Sequence, residues 1–289
     1  MPEYNIYKYH KHTAYRPYRP VLRISEAMMA KIFDIHTHAY PEKIAGKAVQ
    51  FLNKYYKLTC QGTGTLDDLK ESAKDGGVDY LLVHAVATKP TQVEDVNTWI
   101  AGHISRNVFG FGTIHPRYRN IKVELERVRR LGLKGIKLHP DFQAFYANDP
   151  SMDVIYQSIR GVMPVLIHAG DENNDYSSPR RIADVVDRYP GLTVIAAHLG
   201  GYSQWDESEK YLIGKNLYID TSSSLMNLPP ERAADIIRRH GVEKVLFGTD
   251  YPLTRHREEL ERFYALGLED WENQLILFDN AKRLLKLDI

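Results

Sequence analysis

The stretch "FDIHTH", Phe33 to His38, sets two histidines two residues apart at the end of an apolar run. On a strand, alternate residues point to one face, so His36 and His38 stand side by side. Two imidazoles placed this way can share one metal ion. Similar residues end other apolar runs: His168 in "VLIHAG", His198 in "VIAAHLGG", Asp250 in "LFGTDYP", and Lys137 with His139 in "GIKLHP". A single histidine at a strand end is more often a hydrogen-bonded structural residue, and an aspartate after Gly-Thr is often a turn or cap. The recurrence at one kind of position is the stronger signal. Burying so many polar groups against apolar strands is costly unless they share a partner, and a divalent cation satisfies them all.

The elements that must position these residues are legible as eight short runs: "KIFDIH", "VDYLLVHAV", "VFGFGTIH", "LKGIKLH", "MPVLIHA", "LTVIAAH", "LYIDTS" and "VEKVLFGTD". Each is rich in Val, Ile or Leu and bounded by Gly, Pro or polar turns, as strands buried on both faces are. Helical patterns alternate with them, as in "IKVELERVRRLG", "SPRRIADVVDRYPG" and "PPERAADIIRRHG". In the second, Ile182, Val185, Val186 and Tyr189 recur at helical spacing, Ser178 and Pro179 mark the start, and Gly191 follows the end. Eight strands alternating with helices predict an α/β fold, a (β/α)8 TIM barrel. No G-x-G-x-x-G follows the first run, which disfavours a dinucleotide-binding sheet. The expected organisation is an irregular, flexible extension over residues 1–29 and one barrel domain over 30–289. The tail "QLILFDNAKRLLKL" is expected as a last helix on the barrel exterior.

Composition narrows the function classes. The 289 residues carry 38 Lys and Arg against 37 Asp and Glu, a net charge of +1, so nothing electrostatic points to nucleic acid or a membrane surface. No apolar run approaches the ~20 residues of a membrane span. The one cysteine, Cys60 in "KLTCQGTG", excludes an internal disulfide, has no activating neighbour, and suits a reducing, cytoplasmic setting. The Tyr- and Pro-rich extension, with His10 and His12, lacks the apolar core of a signal peptide.

"FDIHTHAYP", "GIKLHP", "VLIHAG", "AHLGG" and "FGTDYP", in this order and spacing, resemble the amidohydrolase superfamily. More narrowly they resemble its amidohydrolase-related branch, which includes aminocarboxymuconate-semialdehyde decarboxylase and many TIM-barrel metal-dependent hydrolases. The resemblance runs from Lys31 to Leu287. TatD-type nucleases share the opening H-x-H but usually present a glutamate on the fourth strand, where this chain has "GIKLHP".

The resemblance implies a divalent metal held by His36, His38, His168 and Asp250, with His198 as an acid–base residue or additional ligand. Zn2+ suits a histidine-rich set with one aspartate best, with Mn2+, Fe2+ or Co2+ as alternatives. An ion with an open position makes water a nucleophile near neutral pH. Asp250 would take its proton, and His198 would polarise a carbonyl and protonate the leaving group. The first expectation is therefore hydrolysis of an amide, ester or lactone in a small, anionic substrate. The alternative is non-oxidative decarboxylation of an aromatic or unsaturated carboxylic acid, with His198 and Asp250 managing the proton. A non-enzymatic, metal-bound scaffold would have to explain why every ligand position is filled.

Substrate contacts are expected from Lys137, His139 and Lys89, and from Tyr202 and Trp205 beyond the sixth strand. For Lys137, a carbamylated bridge between two metals and a purely structural role stay open. His115, Ser222 and Arg255 are further rim candidates. Asp34 shares the parity of His36 and His38 and is expected to orient a ligand histidine. Barrels of this branch often form homodimers.

Overall fold

A computed structural model describes residues 31–289. The extension over residues 1–29, with His10 and His12, lies outside the described residues.

Eight parallel strands surround one axis: β1 (Phe33–His38), β2 (Tyr80–His84), β3 (Val108–Gly110, continued by Gly112–Thr113), β4 (Ile136–Leu138), β5 (Val165–Ile167), β6 (Val194–Ala196), β7 (Tyr218–Asp220) and β8 (Val245–Leu246). They coincide with the eight predicted runs. Pairing proceeds in chain order from β1 to β8, every pair parallel. The third strand changes neighbours at Phe111. Its amide donates to Val83 O at 3.1 Å, and the next amide, Gly112, donates to Gly135 O at 2.9 Å. Closure joins β8 to β1: Ile35 N donates to Phe247 O at 3.0 Å, Asp250 N to His36 O at 2.8 Å, and His38 N to Tyr251 O at 2.7 Å. The molecule is a closed (β/α)8 barrel.

Helices cover the outside. α1 (Glu42–Tyr56), α2 (Leu66–Gly76), α3 (Val93–Ala101), α4 (Ile121–Arg130), the short α5 (Pro140–Gln143), α6 (Asp153–Ile159), α7 (Pro179–Arg188), α8 (Trp205–Tyr211), α9 (Pro230–His240) and α10 (His256–Tyr264) follow in order. α7 begins where the sequence predicts, with Ser178 at the cap position and Pro179 first in the helix, although the Ser178 side chain makes no capping bond. Its apolar stripe, including Ile182 and Val185, is fully buried against the sheet.

Two features depart from expectation. Asp34 pairs with Leu81, but the next paired residue, Thr37, faces Val83, so two residues of β1, Ile35 and His36, stand against Leu82 alone. Such a bulge shifts the alternation by one. Phe33 and Ile35 belong to the apolar barrel interior, whereas beyond the bulge His36 and His38 take the inward direction. Asp34 is thereby on the other face. The tail forms helical turns over Asp270–Leu284, and Phe278, Ala281 and Leu285 join the interior cluster of Phe33, Leu82, Leu166 and Ile195. It closes the floor of the barrel rather than lying on the exterior, because burying these apolar side chains beneath an open barrel end removes both surfaces from water. No helix of the described residues is long and apolar enough to cross a membrane.

Candidate active site

The C-terminal strand ends form a mouth in which the predicted polar residues meet. His38 Nε2 lies 3.2 Å from Asp250 Oδ1, and His36 Nε2 lies 3.5 Å from the same oxygen. Asp250 sits just past β8 with φ of +62°, in the left-handed region that costs a non-glycine residue energy and is retained where function fixes a side chain. Ser223 Oγ donates to its other oxygen at 2.6 Å. Gly248 makes the close approach possible, since a Cβ there would stand 2.7 Å from His36 Cβ.

Hydrogen bonds fix the tautomers. His36 Nδ1 donates to Asp220 Oδ2 at 2.9 Å, leaving a lone pair on Nε2, the atom that faces Asp250. Asp220, at the end of β7, also accepts from the amides of His198 and Ser222, each at 3.1 Å. Burial pushes the Asp220 carboxyl up, but His36, His198 and the Ser222 hydroxyl outweigh it and hold it down at about 2. His198 follows β6, again with φ of +62°. Its Nδ1 lies 3.0 Å from Ser222 O, a pure acceptor, so Nδ1 carries the hydrogen. Its Nε2 therefore accepts from His168 Nδ1 at 2.9 Å. His168, from β5, is left with a lone pair on Nε2, which is buried and without a partner.

Burial lowers the pKa of His36, His38 and His168 and brings His198 down to about 4. Neutral imidazoles are the metal-binding form. Lone pairs on His36 and His168, a second imidazole pair partner in His38, and the Asp250 carboxylate make a donor set that fits a divalent ion. The nitrogen of His168 left orphaned in the interior is the atom such an ion would satisfy.

Lys137 is fully buried. Its ammonium lies 3.1 Å from His36 Nε2 rather than in the open cavity, and burial lowers it to about 8. His139 stacks between Phe142 and His168, with ring centroids 3.7 and 3.8 Å apart, and its Nε2 meets Tyr56 Oη at 3.2 Å. Above the histidines opens a cavity of about 170 Å3, lined among others by Tyr40, Phe51, Leu52, Tyr56, Phe142 and Leu253. The floor is His36, His38, His168, His198 and Asp250, with His139 at the side.

The remaining expectations fall outside this cavity. Lys89 is exposed, while its neighbour Thr88 lines the wall. Tyr202 packs 5.3 Å from the Tyr56 ring and 5.8 Å from His198. Trp205 Nε1 donates to His198 O at 3.0 Å and so braces the loop that carries His198. Arg255 pairs with Asp68 at 2.7 Å, and His115 Nδ1 accepts from the Arg117 amide at 3.1 Å. Ser222 Oγ lies 2.9 Å from both His36 Nδ1 and His198 Nδ1. Asp34 orients no ring of the cavity floor: it accepts from the amide of His36 at 2.8 Å and from Thr249 Oγ1 at 2.6 Å, and its Oδ2 lies 3.2 Å from Nε2 of His256. The outward turn imposed by the bulge explains why. Cys60 is half-buried and raised to about 11, chiefly by burial, as suits a non-nucleophilic thiol.

Sequence reasoning misses Asp220, His84 and the aromatic wall. Asp220 in "LYIDTS" and His84 in "LLVHAV" both end strands, and the rule applied to the other histidines would have found them. Phe51, Tyr56 and Phe142 of that wall come from α1 and α5, where sequence gives no hint that a helix leans over the mouth.

Curated relatives match part of the chain. The decarboxylase orsB of Emericella nidulans is 27% identical over 127 residues, 36% of this chain and 38% of its own length. The gamma-resorcylate decarboxylase of a Polaromonas species is 26% identical over 122 residues, 35% of this chain and 36% of its own. The chain thus spans little more than a third of the length of either. A solved dihydroxybenzoic acid decarboxylase from Polaromonas, with bound manganese and the inhibitor 2-nitroresorcinol, superposes with a TM-score of 0.70 at 17% identity, covering 90% of this chain and 98% of that one. At that identity the likeness is one of fold. The sequence profile described as Amidohydrolase matches residues 33–287, from the first strand through the tail that closes the barrel, and the chain belongs to the amidohydrolase family.

Proposed function

We propose that this amidohydrolase-family enzyme is a metal-dependent, non-oxidative decarboxylase of a small aromatic carboxylic acid. The sequence alone ranks hydrolysis first; decarboxylases among the relatives reverse that order. The observation that carries the reading is the cavity itself, a floor of imidazoles and one carboxylate beneath walls of aromatic rings. A flat apolar ring can lie against the wall of Phe51, Tyr56 and Phe142 by offset or edge contacts, and an anionic group attached to it is directed to the floor, where the buried Lys137 ammonium adds positive charge.

His36, His38, His168 and Asp250 would hold the divalent ion, Mn2+ or Zn2+. When bound, it supplies positive charge that neutralises and orients the substrate's carboxylate or an adjacent hydroxyl. The chain's own residues handle the proton. In the net reaction a carboxylate plus one proton becomes a C–H bond plus CO2. The electron pair of the broken C–C bond stays on the ring carbon and is captured by that proton. Asp250 stays ionised, held well below the ordinary carboxylate range by His36 and His38 despite its burial, and would hand on a proton from the substrate or solvent only transiently. His198, whose Nδ1 hydrogen is tied to Ser222 O and whose Nε2 accepts from His168, aligns the floor beside it. The apolar wall excludes water, which favours departure of neutral CO2 over the charged acid.

The test is a panel of hydroxybenzoates and, separately, lactones and amides, offered to metal-loaded protein. Release of CO2 from a benzoate without net acid production supports the reading. Acid released from a lactone or amide without CO2 would establish hydrolysis instead, and no turnover on either set would sink the enzyme assignment to this cavity.

A further inference from the structure

We infer that His84, at the end of β2, is a further ligand of the ion held by His36 and His38. The inference rests on the proposed metal dependence but concerns a residue outside the set that the resemblance implies. His84 is fully buried, and neither Nδ1 nor Nε2 has a hydrogen-bond partner. Leaving one buried polar atom unpaired costs about 1–3 kcal/mol, and an imidazole always carries at least one N–H and one lone pair or two N–H groups. A histidine that merely filled space beside β1 would be replaced at lower energy by a leucine or phenylalanine.

Geometry gives it a destination. One nitrogen each of His36, His38 and His84 lie within 4.8 Å of one another. The rings are steeply inclined: 56° between His36 and His38, 66° between His36 and His84, and 85° between His38 and His84. Lone pairs lie in the ring planes, so planes that cross steeply can aim three lone pairs at one point. The neighbouring group His139, Asp141 and His168 has similar spacing, but its two imidazoles are only 11° from parallel and stacked at 3.8 Å. Their lone pairs run side by side and do not meet, which sets that group apart. His84 makes no hydrogen bond to His36 or His38, and its edge-on packing against both rings at 4.8 and 4.4 Å leaves its own nitrogens unsatisfied.

The experiment uses full-length protein loaded with Co2+ and compares wild type with His84→Phe and His84→Gln. Two measurements are made: cobalt affinity by competition with a chelator, and the number of imidazoles around cobalt by X-ray absorption. The expected result is one imidazole fewer in both variants and an affinity loss beyond about 100-fold, more than partners that only orient a ligand cause. Circular dichroism of the same samples establishes that the variants are folded, and Gln keeps the fold testable if Phe crowds the site. An unchanged imidazole count overturns the inference, whatever happens to affinity, and leaves the decarboxylase reading standing. Failure of wild-type protein to bind cobalt overturns both.

Discussion

The Nδ1 of His36 donates to Oδ2 of Asp220 at 2.9 Å across 184 residues of chain, so the last turn of β7 fixes which nitrogen of a β1 histidine faces the cavity. Both groups are completely buried. Asp220→Asn keeps the shape but replaces the acceptor with an amide that can present N–H groups to His36. Metal affinity, read by chelator competition, is expected to fall about 10- to 100-fold, with secondary structure unchanged by circular dichroism. Wild-type affinity in the variant would remove Asp220 from the site.

His36→Ala removes the residue that touches Asp220, Lys137 and Asp250 at once. The expected outcome is loss of bound metal and of turnover with the barrel intact, measured by elemental analysis beside circular dichroism. Metal at full stoichiometry in the variant would refute the ligand set.

Phe142 forms the outer plate of the Phe142–His139–His168 stack and lines the cavity. Phe142→Ala is expected to raise KM by up to about tenfold, the value of one aromatic contact, with a smaller change in kcat. Steady-state kinetics on the benzoate found by the substrate panel separate the two. A fall in kcat at unchanged KM would mean that the stack positions His168 instead of binding the ring.

Glu259 on α10 is fully buried, and burial raises its carboxyl from 4.5 to about 8 even though Arg262 donates to it at 2.7 Å. The folded state therefore holds a proton that the unfolded chain releases. The stability this contributes is complete below about pH 4.5 and is lost as pH rises through about 8. Melting temperature of wild type should decline across that window, and Glu259→Gln should flatten the decline. Parallel pH profiles for the two proteins would contradict the assignment.

The fold was largely readable because strands buried on both faces must be apolar along their length, and the turns that end them are polar. The same contrast exposed His36, His38, His168, His198 and Asp250. What stayed hidden has a physical cause in each case. The bulge between Asp34 and Thr37 is a matter of one unpaired residue and leaves no mark on the apolar pattern, so simple alternation places Asp34 on the wrong face. Phe51, Tyr56 and Phe142 belong to amphipathic or short helices whose tilt over the mouth depends on tertiary packing. Phe278 and Leu285 sit in a helical tail that reads the same whether it packs beside the barrel or beneath it.

Closure of β8 onto β1 has a further consequence. His36 and His38 emerge from the ribosome more than two hundred residues before Asp250, and the three meet only once the backbone bonds of Asp250 and His38 form across the seam. During synthesis the site is therefore an open clasp. Contacts of such long sequence separation form late and slowly, so ion capture by the nascent chain would lag behind assembly of the central strands. An ion held by His38 and Asp250, as proposed above, would resist the parting of first strand from last, the separation with which unravelling of a closed barrel must begin.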